Sequence, residues 1–220
     1  GPALEGMNIS SGMRAEVGAI EDVSITPEGN ILTTIGDKTP IGLCGSGILA
    51  VVRELLKTGL VTKSGAFIKK EKLDETDYRY NLIQLNGKKR EFVLSKEPKI
   101  IISQGDVRQV QLAKGAILSG FTALLNIAVL DINQLDKVMI AGQFGAHLPA
   151  DSLTGTGILP EGVKDKLEYV GNSSKTGAYM TLLSKDVKKE MEDLALKMEY
   201  LELAEVEDYE RIFTNSMIFL

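Results

Sequence analysis

The 220-residue sequence has one cysteine, one histidine and no tryptophan. A lone cysteine, Cys44, excludes an internal disulfide, an iron–sulfur cluster or a thiolate-rich zinc site held by this chain. Any redox metal must therefore sit on another segment or another protein. The lack of disulfides fits a reducing cytoplasm. A run of about eighteen consecutive apolar residues is also missing, so a membrane span is not expected. Positive charge is not in excess: 25 Lys and Arg stand against 30 Asp and Glu, a formal net charge of −5. That balance argues against broad electrostatic binding to nucleic acid or to an anionic membrane. No Ser/His/Asp set, HExxH motif, paired-cysteine motif or Walker A loop is present. The chain opens Gly1-Pro2 without methionine or a signal-peptide pattern. A fragment of a longer polypeptide and the scar of a cleaved tag both fit that start.

What is present is ordinary for a globular α/β chain, with 44% hydrophobic and 25% charged residues. Two apolar runs end in glycines. Val138 to Ile140 leads into Ala141-Gly142-Gln143-Phe144-Gly145-Ala146-His147, and Leu43-Cys44 leads into Gly45-Ser46-Gly47. Without a side chain, glycine lets backbone amides approach a phosphate or a nucleoside closely. Two such turns suggest a nucleotide cleft, although Gly-x-Gly alone is weak evidence. Each turn also has a plain reading: a tight strand-to-helix turn at Gly142 and Gly145, and an ordinary N-cap by Ser46. Cys44 reads as a small core residue, and His147, alone of its kind, reads more readily as structural than catalytic.

Hydrophobic periodicity supplies the elements. Val17–Ile25 and Asn30–Ile35 read as strands around a turn at Pro27-Glu28-Gly29-Asn30. Ile48, Val51, Val52, Leu55 and Leu56 place one apolar stripe on a helix over 46–60, with Gly59 as its C-terminal cap. Residues 61–98 read as a charged, partly exposed insertion with strand-like pieces at 66–68 and 90–94. Lys99–Ser103 is extended, and a long helix follows over 105–130 with Asp106 in its first turn. Its early turns carry Arg108, Gln109, Gln111 and Lys114, which read either as a solvated face or as groups held over a nucleotide. Lys137–Ala141 reads as a short buried strand and Leu167–Val170 as another. Asn172-Ser173-Ser174 caps a helix over 175–183. A helix over 185–197, a strand over 198–203 and a last helix over 206–214 complete the chain. Helices alternating with short apolar strands predict an α/β fold.

Taken in order, several motifs resemble the reductive activators of corrinoid proteins. They are Gly1-Pro2-Ala3-Leu4-Glu5-Gly6, Gly42-Leu43-Cys44-Gly45-Ser46-Gly47 and Asp106-Val107-Arg108-Gln109-Val110-Gln111-Leu112-Ala113-Lys114-Gly115-Ala116-Ile117. Ile140-Ala141-Gly142-Gln143-Phe144-Gly145, Gly157-Ile158-Leu159-Pro160 and Gly171-Asn172-Ser173-Ser174-Lys175-Thr176-Gly177-Ala178 continue the series. The resemblance covers nearly the whole chain and is weakest over 61–98. It implies the second, C-terminal lobe of a ribonuclease H-like, actin/hexokinase/Hsp70-like (ASKHA) ATPase domain: a mixed sheet flanked by helices, spanning 1–220. It further implies that the parent protein carries a middle domain and an N-terminal [2Fe–2S] domain, and that ATP or ADP binds with magnesium in the complete protein. The Gly142–Gly145 turn would then meet adenosine, Gly45, Ser46 and Gly47 would lie in the same cleft, and Gln109, Gln111 and Lys114 near the adenine or ribose. Asn172 to Ala178 would form a connecting helix at the hinge between lobes. An acidic Asp-x-Gly-Thr-Asn-Gly phosphate hairpin, expected just ahead of Gly1, is not in this chain, so its magnesium and γ-phosphate chemistry is incomplete here.

The implied partner is a corrinoid (iron–sulfur) protein whose Co(II) state is returned to Co(I), with no nucleic acid and no membrane involved. Two alternatives share the pattern. One is a small-molecule kinase of the same fold. The other is a non-catalytic lobe for homodimerisation or partner docking, with which the apolar helix faces and Phe219-Leu220 are compatible.

Overall fold

The computed structural model describes residues 2–142 and 145–220. Its first sheet has the order β2-β1-β3, built from β1 (Ala19–Thr26), β2 (Gly29–Thr34) and β3 (Gly42–Leu43). β1 runs antiparallel to β2 and parallel to β3. Ile20, Val23 and Ile25 are buried against helix α1 (Gly45–Lys57). The predicted stripe is the buried one: Ile48, Val51, Val52 and Leu55 are fully enclosed. Each such side chain contributes roughly 1.5–3 kcal/mol by leaving water. Gly47 explains the close approach of helix to strand, because a Cβ there would overlap the carbonyl of Ile20.

The region 61–98 is charged and partly exposed, as expected, but it is also anchored to the core. Phe67, Ile83 and Phe92 belong to the main core. A second, antiparallel sheet of order β4-β5-β6 comprises β4 (Ile83–Asn86), β5 (Lys89–Ser95) and β6 (Ile100–Ser103). Glu91, the buried carboxylate of β5, accepts from Asn86 at 2.8 Å and pairs with Lys99 at 3.4 Å. The high charge of the segment masked a short apolar set that a sheet of this size needs to attach itself to a core.

Helix α2 (Gln104–Ala128) crosses the molecule. Its start is fixed by a capping box. The Ser103 hydroxyl accepts from the Asp106 amide at 3.2 Å, and Asp106 Oδ2 accepts from the Ser103 amide at 2.7 Å. Asp106 also accepts from the Ser10 amide at 2.9 Å, which ties the N-terminal loop to this helix. By length and composition α2 could cross a membrane. Its packing on α6, β5 and β6, and its buried Gln111, Lys114 and Ser119, are those of a helix within a folded core.

After α2 come β7 (Val138–Ala141), α3 (Ala150–Gly155), β8 (Leu167–Gly171), α4 (Ser173–Leu183), α5 (Lys185–Ala195) and α6 (Tyr209–Ser216). β7 and β8 form a parallel pair. β7 is not the buried strand that its sequence suggests, since Met139 is 68% exposed. Asn172 caps α4 as expected, its side chain accepting from the Lys175 amide at 3.0 Å. The strand expected over 198–203 does not form; a short 3-10 turn at Leu203–Glu205 stands at its end. The C-terminus folds back, with Phe219 buried and its amide donating to the Lys63 carbonyl at 2.9 Å.

Candidate functional site

Two clefts lie side by side and share the walls Leu4 and Leu148. The first, about 890 Å³, runs between α2 and β7 and is almost entirely apolar, with Ile117, Phe121 and Leu124 on the helix side. Gly142 and Gly145 close one end of it. The second, about 930 Å³, lies over the start of α1 and is lined by Glu5, Arg14, Glu21, Cys44, Gly45, Ser46 and His147. The two glycine turns therefore face adjoining clefts rather than one. Tyr169 steadies the wall between them, its hydroxyl donating to the Leu148 carbonyl at 2.6 Å. Partial burial raises that phenol's pKa.

At the first turn, Gly142 has φ +96°, a left-handed conformation that other residues adopt only under strain. Its amide donates to the Gly171 carbonyl at 2.8 Å, and the space where a Cβ would stand is open. Gly145 is buried, and a Cβ there would come within 2.6 Å of the Ile140 side chain. Both glycines are thus required by backbone geometry, and the opening at Gly142 lets a planar group approach the main chain. Gln143 and Phe144 lie outside the described residues.

At the second turn, Cys44 rather than Ser46 occupies the N-cap position of α1, and no side chain caps the helix. Ser46 sits inside the first turn, with its hydroxyl 3.3 Å from the Cys44 thiol. The thiol is buried and lies 3.2 Å from the Ile20 carbonyl. Helix-start amides without a side-chain cap face a cleft that also presents Arg14, a combination suited to a phosphate. Glu5 and Glu21 on the same cleft supply hard oxygen ligands of the kind magnesium takes. Among the described residues there is no group of three or more His, Cys, Asp or Glu side chains placed to hold a metal by themselves. The single buried thiol does not fit an iron–sulfur cluster.

The three α2 residues expected near the base take other places. Lys114 is fully buried, and its ammonium donates to the carbonyls of Ser216 at 2.6 Å and Ile218 at 2.7 Å. Burial lowers its pKa from 10.5 to about 8. Gln111 donates to the carbonyls of Ser64 at 3.2 Å and Met217 at 3.0 Å. Gln109 is half-buried. None of the three lines either cleft. Lys114 and Gln111 are committed to holding the last turn of the chain, so a nucleotide role would require those bonds to break. Sequence reasoning missed the clasp because its acceptors are backbone carbonyls a hundred residues away, which leave no residue signature. It also left Glu5 and Glu21 unassigned, though both reach the second cleft.

The comparisons with known proteins agree on one family. A family model described as the C-terminal domain of RACo, the ASKHA domain, matches residues 1–220. The corrinoid activation enzyme RamQ of Eubacterium limosum is 38% identical over 197 residues, 84% of this chain and 32% of that protein. A Co(II) methylated amine-specific corrinoid protein reductase of Methanosarcina barkeri is 27% identical over 97% of this chain and 40% of its own length. A solved structure, a reductive activator for corrinoid, iron–sulfur protein, superposes over the whole chain with a TM-score of 0.85 and 34% identity, covering 35% of that molecule. The chain thus spans 32% to 40% of the length of these relatives.

Proposed function

The chain belongs to the family of RACo C-terminal ASKHA domains, and from that premise we propose that it is the nucleotide-binding lobe of an ATP-dependent activator that returns a corrinoid protein from Co(II) to Co(I). The match along its full length to reductive activators carries this reading. Paired clefts behind Gly142 and the α1 start support the nucleotide part of it. Adenosine would lie against the open backbone at Gly142. The phosphates would meet the uncapped amides of Gly45 and Ser46, with Arg14 beside them, while Gly47 is buried against β1 and lines neither cleft; Glu5 or Glu21 would supply oxygen ligands to magnesium.

Reduction of the cobalt is a one-electron step, Co(II) plus an electron giving Co(I). The lone Cys44 cannot ligate an iron–sulfur cluster, so the electron would come from a [2Fe–2S] cluster that we assign to an N-terminal domain of the full protein. The role of this lobe is energetic. Nucleotide can drive an unfavourable transfer only if it binds two conformations of the activator with different affinity. Closure of this lobe about the segment around Asn172, where β8 passes into α4, is a hinge motion that would supply the two states.

The test is a cobalt absorbance assay with the full-length protein, a reductant and the Co(II) corrinoid partner. Co(I) should accumulate with Mg-ATP and not with a non-hydrolysable analogue or with no nucleotide. Equal accumulation under all three conditions would remove ATP from the account. A small-molecule kinase would instead consume ATP in proportion to a phosphorylated product.

A further inference from the structure

The segment 61–98 holds nine Lys and Arg against six Asp and Glu, a local charge of +3 in a chain whose total is −5. Half of its acids are engaged: Asp77 pairs with Arg79, Glu91 pairs with Lys99, and Asp74 accepts from the Thr76 hydroxyl. Three of its cations gather around one cleft. Lys70, Arg90 and Lys96 line a hollow of about 670 Å³ between the β4–β5 hairpin and the 3-10 turn Lys70–Lys72, with Glu71 as the one acid in its lining. None of the three forms an ion pair among the described residues. Lys70 lies over the Tyr80 ring, 4.0 Å from its centroid. The rest of the wall is partly apolar. Ile83 and Leu85 share one face of β4, with Phe92 and Arg90 opposite them on β5. That face is buried at Ile83 and Phe92 but runs on past its core, so Leu85 stands 66% exposed beside Arg90. A two-residue turn that opens on Gly87, at φ +61°, holds the hairpin in register.

We propose that this cleft docks an acidic segment of the corrinoid protein partner, with carboxylates meeting Lys70, Arg90 and Lys96 around an apolar residue seated on Leu85. The inference rests on the reading of the chain as part of a corrinoid-protein activator, and it names where the partner binds. An exposed apolar residue ringed by unpaired cations has the chemistry for such a segment: Leu85 supplies contact area, and the cations select charge and fix register. The planar head of Arg90 suits a carboxylate held by two parallel hydrogen bonds. Nucleic acid and anionic membranes fit less well, because the chain as a whole is negative and its basic area is confined to this segment. A basic segment on an otherwise acidic chain also orients an acidic partner during approach. The cleft shares no lining residue with the two clefts proposed to hold nucleotide, so partner and nucleotide can be bound together.

The test is the association rate of the full-length protein with the Co(II) corrinoid protein, followed by stopped flow at several salt concentrations. Lys70→Glu/Arg90→Glu/Lys96→Glu should slow association about tenfold or more and flatten its salt dependence. The same charge change on and just after α5, at the exposed Lys185, Lys189 and Lys197, should leave the rate within about twofold. Mg-ATP binding should be unaltered in both variants. A carbodiimide, which joins a lysine amine directly to a carboxylate, should link Lys96 to an Asp or Glu of the partner. If the triple variant does not fold, Arg90→Gln/Lys96→Gln takes its place, with an expected slowing of about threefold. Equal association by the cleft and α5 variants would overturn the proposal, as would partner crosslinks that avoid this cleft. Binding of RNA or anionic vesicles that the cleft variant loses, with corrinoid-protein binding intact, would overturn it too. Wild-type protein that yields Co(I) with ATP, beside a cleft variant that binds the partner normally, would remove the docking site alone. Wild-type protein that neither binds the partner nor yields Co(I) would remove the activator reading with it.

Discussion

The half of the molecule built on β1–β6 and α1 keeps most of its apolar residues inside, with Ile31 and Leu85 as exceptions, whereas the half built on β7, β8, α4 and α5 leaves most of them exposed. In the first, nine residues of α1 alone are buried. In the second, α4 and α5 have no buried residue, and Leu182, Leu194, Leu196 and Met198 stand at 82%, 59%, 86% and 74% exposure. The two halves have comparable hydrophobic sequence, so the difference lies in what there is to pack against. One half contains its own core; the other leaves apolar surface uncovered, as surfaces that pack against another partner do.

The largest effect should fall where helix meets strand in the first half. Gly47→Val would drive a branched side chain into the Ile20 carbonyl. The cost should exceed about 4 kcal/mol, enough to prevent recovery of a folded chain. Circular dichroism melts of that variant beside Gly47→Ala would grade the loss, and a native-like melt for Val would mean that α1 does not pack as described.

Next is the clasp at the chain's end. Lys114→Met preserves volume but leaves the Ser216 and Ile218 carbonyls without their donor. A loss of about 2–4 kcal/mol in urea denaturation is expected from two unsatisfied buried carbonyls. The same residue sets a pH dependence. Its folded pKa of about 8 lies below the unfolded 10.5. Below pH 8 both states carry the proton; between those values the unfolded chain holds a proton that the folded chain has released. Lys114 therefore makes stability rise with pH across that window, and the rise should vanish in Lys114→Met.

The smallest effect should come from the second half. Leu182→Ser or Leu196→Ser in residues 1–220 should shift stability by less than about 0.5 kcal/mol, as exposed substitutions do. In the full-length protein the same changes should cost more if those surfaces are covered there. Equal small effects in both contexts would erase the contrast between the halves.

The first half was the more legible in sequence for the same physical reason. The α1 stripe and the β1–β2 hairpin follow from local periodicity, and the structure departs from them by one to three residues at the ends. β7 was legible as a strand but not as a half-exposed one, because an apolar run does not say whether its cover lies in the same chain. The glycine turns were legible as positions that need glycine, and φ +96° at Gly142 bears that out. That they face two adjoining clefts was not legible, since it depends on the tertiary placement of Leu4 and Leu148, which line both. Ser46 was read as a cap by residue type, but the helix begins at Gly45, so the N-cap position falls to Cys44, whose side chain makes no capping bond.

The most direct test of the central claim is calorimetric titration of Mg-ATP and Mg-ADP into the full-length protein and its Gly142→Val variant. A branched residue at φ +96° would both strain the turn and fill the open space where we propose that the nucleoside lies. The account predicts saturable binding to the parent that is lost in a variant that still melts cooperatively, at a temperature lowered only by the strain of the turn. Undiminished binding in that variant, or no binding to a well-folded parent, would contradict it.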